Sequence, residues 1–340
     1  MKVLVTGAAG FIGGYVVREL LAHGHEVVGL DNFSKYGALS QEAIAESGYR
    51  FVRGDVKDRA LLRDLLADCD QLIAGAAMIG GISYFHKFAY DLLAENERIT
   101  ASTFDAAIAA HAAGTLEKIT VISSSMVFEN TERYPTPEGE ERRCPPPSST
   151  YGFQKLAVEY FAQGAREQYG LPYTICRPFN CVGIGERRAR TDEVIMSGNV
   201  RLAMSHVVPD IIQKVLKGQD PLHILGSGDQ VRHYTYGGDL ARGIRVCMEH
   251  PAALNEDFNL STATSTTVLE LAEQVWRKIH GDARPFATVS DAPFSYDVRR
   301  RVPEVHKALE MLGFEATTSL GTVLEELVPW IERQILEGAI

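Results

Sequence analysis

Tyr151 and Lys155 stand four residues apart, which is one turn of an α-helix, so the phenol and the ammonium share a face. Ser124 lies upstream, at the end of the apolar run Lys118-Ile119-Thr120-Val121-Ile122 and its serine tail. A phenol, an ammonium and a hydroxyl suit the removal of a proton from an alcohol, with Ser124 sharing the oxygen whose proton Tyr151 takes. A tyrosine of pKa about 10 is a poor base at neutral pH, and lowering it by about three units needs on the order of 4 kcal/mol of preferential stabilisation of the phenolate. A nearby lysine and a positively charged nicotinamide could supply that. Alone, a Tyr-x-x-x-Lys pair reads most readily as an exposed helix face, so its meaning depends on what else the chain carries.

What else it carries begins at residue 2. The strand Lys2-Val3-Leu4-Val5-Thr6 breaks into Gly7-Ala8-Ala9-Gly10-Phe11-Ile12-Gly13 and continues as a helix with Val16, Val17, Leu20 and Leu21 at three- and four-residue spacing. Gly7 can supply the tight turn, Gly10 lets the backbone approach a pyrophosphate, and Gly13 lets the helix pack close to the sheet. The diphosphate then meets the helix N-terminus, where unpaired N–H groups favour negative charge. A glycine turn also serves ordinary loops; here a second strand, Glu26-Val27-Val28-Gly29-Leu30, follows and ends in Asp31. A carboxylate there accepts from both ribose hydroxyls and repels a 2′-phosphate, which selects NAD over NADP.

The elements that must hold these groups alternate between short apolar strands and helices, the pattern of a parallel sheet covered on both faces. Strands are expected at Tyr49 to Val52, Gln71 to Ala74, Lys118 to Ile122 and Tyr173 to Arg177, and helices at Arg59 to Ala67, Asp91 to Ala113 and Tyr151 to about Gln168. The loop Glu129 to Ser149 holds Pro135, Pro137 and Pro145-Pro146-Pro147 and is expected to be an irregular surface excursion. Beyond Asn180 the alternation fails. Gly183 to Ser205 is long, polar and basic, and is assigned to a substrate-side lobe, followed by helices at Pro209 to Lys217, Gly238 to Glu249 and Thr267 to His280 and a strand at Leu222 to Leu225. The expected fold is a Rossmann-type doubly wound α/β sheet formed by residues 1–180, with 234–260 returning to it, and a smaller α/β lobe formed by 181–233 and 261–340.

Size and composition agree with a soluble globular protein: 340 residues, 45% hydrophobic and 23% charged. The formal net charge of -10 argues against a nucleic-acid surface and leaves room for a few local arginines to grip an anionic substrate. Met1 leads straight into the first strand, with neither a signal core nor an apolar run long enough for a bilayer, so the expectation is a cytoplasmic protein. Five scattered cysteines without a C-x-x-C pair suit reduced thiols, and no spacing of the ten histidines suggests a metal.

With the glycine turn, the serine strand end and the Tyr-x-x-x-Lys pair together, the chain resembles the extended short-chain dehydrogenase/reductase family, and within it the nucleotide-sugar epimerases and dehydratases. The resemblance covers nearly the whole chain. It implies that Gly7, Gly10, Phe11, Ile12 and Gly13 hold the cofactor diphosphate, Asp31 and Asn32 the ribose, and Asp55 and Val56 the adenine. Ala74, Ala76 and Asn96 would line the nicotinamide side, with Tyr151, Lys155 and Pro178 beside them. On the substrate side it implies Ser124, Ser125, Met126, Asn180, Val208 and Asp297, with Arg232 pairing to the substrate diphosphate. An arginine fork suits phosphate oxygens by geometry and charge.

Two positions narrow the reaction that the resemblance implies. Dehydratases of this family place Asp and then Glu after the serine, and other branches place Glu or a reactive Cys at the second position; this chain has Ser125 and Met126. The reading left is a 4-epimerase: C4 is oxidised by NAD, the 4-keto sugar rotates, and it is reduced from the other face. A base in the lobe, such as Glu186, Glu193 or His206, would instead permit a dehydratase or an epimerase at another carbon. An NAD-binding sensor without turnover has no need of Ser124, Tyr151 and Lys155. The chain departs from the family pattern at Phe128-Glu129-Asn130, at His233-Tyr234 after Arg232, at the bulky Met78-Ile79-Gly80-Gly81, and in lacking the usual arginine shortly before Asp297, for which Arg299 to Arg301 could compensate. Small and apolar residues in excess on the helices Asp91 to Ala113 and Tyr151 to Gln168 lead to the expectation of a homodimer through a four-helix bundle.

Overall fold

Alternating apolar residues along the first strand face both ways, and helices cover both faces. In the computed structural model, which describes residues 1–38, 47–79, 88–187, 195–202, 206–292 and 298–340, seven parallel strands form one sheet. They are β1 (Lys2–Thr6), β2 (Glu26–Asp31), β3 (Tyr49–Arg53), β4 (Gln71–Ala74), β5 (Lys118–Ile122), β6 (Tyr173–Pro178) and β7 (Glu256–Leu260), in the order β7-β6-β5-β4-β1-β2-β3. The order reverses between β1 and β4, which puts the carboxyl ends of those strands at the crevice where open α/β sheets bind ligands.

Val3 and Val5 join one core cluster with Val16, Leu20, Leu240 and Ile244, so α1 (Phe11–Ala22) and the helix Gly237–Glu249 cover one face. Leu4 joins the opposite cluster with Leu62, Phe104, Ala107, Val158 and Ala162, carried by α2 (Arg59–Leu66), α3 (Ala89–Ala112) and α4 (Thr150–Tyr169). Local chemistry sets the helix ends. Asp58 caps α2 by accepting from Ala60 N and Leu61 N, Ser149 caps α4 by accepting from Gly152 N, and Gly170 ends α4 in the left-handed region at φ 76°.

The second lobe has its own core, in which Trp276, Leu271, Ile212 and Ile331 are each fully buried. Its helices are α5 (Val207–Leu216), α7 (Val268–His280) and α9 (Leu320–Leu336), with the sheet-covering helix Gly237–Glu249 counted as α6 and a short α8 (His306–Leu312) before α9. Strands Leu222–Leu225 and Thr288–Asp291 pair in parallel beside them.

The expected strands and helices are present with ends shifted by a residue or two. The sequence reading assigned no strand to β7, which pairs with β6 as Asp257↔Ile175 and Phe258↔Cys176, and neither α8 nor α9. The loop between β5 and α4 is more regular than its prolines suggest, with 3-10 turns at Ser125–Phe128 and Glu140–Arg142. Within the basic stretch, Ile195–Ser197 and Val200–Leu202 form an antiparallel hairpin; residues 188–194 and 203–205 lie outside the described residues. Among the described residues no helix is long and apolar enough to cross a membrane.

Candidate active site

The turn between β1 and α1 is built on close backbone approach. Gly7 sits at φ 73°, its N–H donates to Leu30 O at 2.9 Å, and Gly10 N donates to Gly7 O at 3.0 Å. A Cβ on Gly13 would lie 2.0 Å from Gly7 O, and one on Gly7 would lie 2.9 Å from Gly75 O, so side chains are excluded at both places. No side chain caps α1 at Gly10, which leaves its first-turn N–H groups to an anion. Asp31, at the end of β2, accepts from Ala9 N at 3.1 Å and from Phe33 N at 2.7 Å. Burial pushes its carboxyl above the usual range and these two hydrogen bonds pull it back.

Asn32 donates to Asp55 at 3.1 Å, and buried Val56 stands next to that carboxylate. At the end of β4, after Ala74, Thr6 Oγ1 accepts from Gly75 N at 3.1 Å and Ala76 N at 3.2 Å. Buried Asn96 accepts from Met78 N at 2.7 Å and donates to Met78 O at 2.8 Å, so it fixes the main chain of that turn. Pro178 ends β6 opposite Leu260. A cradle of glycines, an uncapped helix start and a carboxylate at the next strand end fit a dinucleotide.

The three side chains expected to move the proton come together at the end of β5. Ser124 Oγ accepts from Met126 N at 3.2 Å and hydrogen-bonds the buried Tyr151 phenol. Lys155 Nζ, also buried, donates to Ile122 O at 2.9 Å. The charge balance differs from the sequence expectation. Burial raises the Tyr151 pKa, and the Ser124 hydrogen bond and the charge of Arg301 oppose that rise. Desolvation also lowers Lys155 to about 8, against a smaller raising effect of Glu159. A buried lysine is a weaker cation than the spacing alone implied.

Glu159, one helical turn beyond Lys155, belongs to a network that the sequence reading missed. Arg177 on β6 is fully buried and grips Glu159 with two bonds of 2.8 Å, from Nε and Nη2. Ser123 Oγ donates to the same carboxylate at 2.6 Å, Asp257 on β7 pairs with Arg177 Nη1, and Lys307 on α8 bonds Asp257 at 2.8 Å. The available signal was the four-residue spacing Tyr151, Lys155, Glu159 on one helix face.

On the opposite side, Asn180 adopts φ 38° and its buried Nδ2 has no hydrogen-bond partner among the described residues. Buried Arg232 donates from Nη1 to Val231 O at 3.0 Å and to Arg299 O at 3.3 Å. The Val208 side chain is 1% exposed and packs in the lobe core, in the first turn of α5. Ser125 and Met126 are buried, and Met126 packs with Tyr151, Leu92, Met78, Ile79 and Val298. Asp297, Gly80, Gly81 and Glu193 lie outside the described residues. Glu186 and His206 are hydrogen-bonded to each other, which ties the loop after Cys181–Val182 to the start of α5. Buried His233 bonds Thr262 O through Nδ1 at 2.9 Å, and desolvation lowers its pKa. Among the described residues no cluster of three His, Cys, Asp or Glu could hold a metal.

The model of the NAD dependent epimerase/dehydratase family matches residues 3–261. A UDP-glucose 4-epimerase from Halalkalibacterium halodurans is 30% identical, over 97% of this chain and 95% of its own. The crystal structure of a UDP-glucose 4-epimerase from Thermotoga maritima, with UDP-glucose, superposes with a TM-score of 0.81 at 27% identity, covering 98% of this chain and 100% of that one. A UDP-glucuronic acid 4-epimerase from Bacillus cereus, in complex with UDP-glucuronic acid and NAD, superposes with a TM-score of 0.81 at 26% identity, covering 98% and 99%.

The depressed pKa of Lys155 has a consequence for stability. Its folded value of about 8 lies below the ordinary 10.5, so between those pH values the unfolded chain binds more protons than the folded one. Stability from this residue therefore rises with pH through that window, and its cost is complete below about pH 8. Urea denaturation of the wild type and Lys155→Met at pH 7 and pH 10 is expected to show the wild type gaining on the variant by roughly 2–3 kcal/mol at the higher pH. A difference independent of pH would contradict it.

Proposed function

This chain belongs to the NAD-dependent epimerase/dehydratase family, and from that premise we propose that it inverts C4 of a nucleotide-linked sugar through a transient 4-keto sugar. The observation that carries the reading is the hydrogen-bonded Ser124 and Tyr151 with Lys155 behind them, beside a glycine cradle and with no acid at 125 or 126. NAD, when bound, supplies a hydride acceptor and donor and a positively charged ring. Gly7, Gly10, Phe11, Ile12 and Gly13 would hold its diphosphate, Asp31 and Asn32 its ribose, Asp55 and Val56 its adenine, and Ala74, Ala76, Asn96 and Pro178 its nicotinamide end. Residues 1–180 and 234–260 would then form the cofactor half and the remainder the sugar-nucleotide half.

Tyr151 takes the proton of the C4 hydroxyl as the carbonyl forms and returns it when the carbonyl is reduced, and Ser124 holds that oxygen in line. Lys155 favours the phenolate while it remains charged. Arg232 and the unpaired Nδ2 of Asn180 take the substrate diphosphate, which anchors the nucleotide while the sugar turns. A dehydratase needs an acid and a base beside the serine; Ser125 and Met126 supply neither, and Glu186 and His206 are engaged with each other. That favours hydrogen transfer at C4 as the chemistry.

The outer face of α3 and α4 supports a second copy of this chain as partner. Phe104, Ile108, Phe153, Leu156, Tyr160 and Phe161 line a broad apolar groove there, with Phe153 48% and Tyr160 60% exposed. Two such helix pairs make a four-helix bundle. Light scattering at micromolar concentration is expected to give twice the 37.4 kDa of one chain, and a mass of one chain would rule the dimer out.

For the activity, proton NMR of the NAD-loaded protein with UDP-, GDP- and dTDP-sugars is expected to show a C4 epimer growing to equilibrium. Tyr151→Phe should slow it by roughly 10²–10⁴-fold. A growing deoxy methyl signal, or no conversion of any sugar, would refute the epimerase reading.

A further inference from the structure

A buried ammonium keeps its proton when a negative charge stands near it. Lys155 is buried and donates to Ile122 O at 2.9 Å, but a carbonyl accepts from an ammonium or from a neutral amine, so that bond alone does not fix the charge. The carboxylate on the same face of α4 is Glu159, one turn further on and 1% exposed. Its effect on Lys155 favours the ammonium and opposes the desolvation that lowers this lysine to about 8.

Glu159 is held on several sides. Arg177 donates to it from Nε and Nη2 at 2.8 Å each, and Ser123 Oγ donates at 2.6 Å. Ser123 N in turn donates to Cys176 O at 2.8 Å, so the carboxylate is clamped between the ends of β5 and β6. One guanidinium does not cancel it. Arg177 also pairs with Asp257 on β7 and stands 3.5 Å from the buried Glu141, which spreads its charge over three carboxylates. Lys307 on α8 serves the far side, bonding Asp257 and Glu256 at 2.8 Å, and Arg142, 3.6 Å from Glu141, is exposed and screened by water. Elsewhere the surroundings of α4 are neutral hydroxyls: Thr100 on α3 lies 3.5 Å from Gln154, and Ser123 and Ser124 end β5. The charge of Arg301 is felt one turn earlier, at Tyr151.

We propose that Glu159 is a positioning residue for the reaction: clamped by Arg177 and Ser123, its carboxylate keeps the Lys155 ammonium charged when the site is filled. The proposal rests on the roles given above to Tyr151 and Lys155, and its test reads Lys155 without any sugar. Carbon NMR of the NAD-loaded full chain, with lysine labelled at Cε, follows Lys155 from about pH 6 to about pH 11, its signal being the one missing in Lys155→Met. Glu159→Gln is expected to lower the titration midpoint by at least about one pH unit, and Glu159→Asp, which retains the charge, to keep most of the wild-type value. A structural role alone would cost stability in both variants without separating their midpoints.

An unchanged or higher midpoint in Glu159→Gln, or equal falls in the two variants, would overturn the proposal. Should Glu159→Gln fail to fold by thermal melting, Ser123→Ala decides in its place: the carboxylate loses the hydroxyl that shares its charge, so the Lys155 midpoint must rise, and no rise overturns the proposal. C4 inversion is followed separately against pH, and its alkaline limit should fall with the midpoint in Glu159→Gln. A shifted midpoint with no inversion of any sugar would remove the epimerase reading and leave the control of Lys155 by Glu159 standing; inversion with an unmoved midpoint would do the reverse.

Discussion

A buried arginine holds the site together. Arg177 projects from β6 where no water reaches it, and its charge is tolerable because Glu159 meets it with two hydrogen bonds, Asp257 with a third, and the buried Glu141 carboxylate stands 3.5 Å away. These contacts join α4, β6 and β7, and Ser123 brings in the end of β5. Ser124 follows Ser123, and Lys155 lies one turn before Glu159. The same ion network therefore borders the residues proposed for proton transfer. Removing one partner of such a buried pair leaves an uncompensated charge, at a cost of about 3–5 kcal/mol. The hydrophobic clusters fill the two faces of the sheet, but this network fixes the register of the catalytic helix against it.

That rigidity comes with an electrostatic conflict. Burial makes Tyr151 harder to deprotonate and Lys155 harder to protonate, so both are moved away from the charged forms that chemistry requires. Glu159 pushes Lys155 back toward its charged form, and Arg301 pulls Tyr151 toward the phenolate. The remaining stabilisation has to come from what binds there, so the site is poised to work when filled. A positively charged cofactor ring beside the phenol is a group of the right sign.

The sheet was legible in the sequence because its strands are short apolar runs between helices of clear period, and the glycine turn because only glycine fits where Gly7 and Gly13 stand. β7 was not legible: Glu256-Asp257-Phe258-Asn259-Leu260 lacks a continuous apolar run, and its buried Asn259 donates to Thr136 O and Glu304 O, far along the chain. α9 has Pro329 inside it, a residue that from sequence argues for a break. Within the site, residue types and spacing gave Ser124, Tyr151 and Lys155, but desolvation and the partners Glu159, Arg177 and Arg301 depend on tertiary contacts, which spacing does not carry.

The central claim is that one hydrogen leaves C4 and returns to the same carbon without meeting solvent. The most direct measurement uses a UDP-sugar deuterated at C4, converted by the NAD-loaded protein in ordinary water, with the product examined by mass spectrometry and NMR. The account predicts a C4 epimer that keeps its deuterium. Loss of the label from C4, or exchange of solvent hydrogen into C3 or C5, would contradict it.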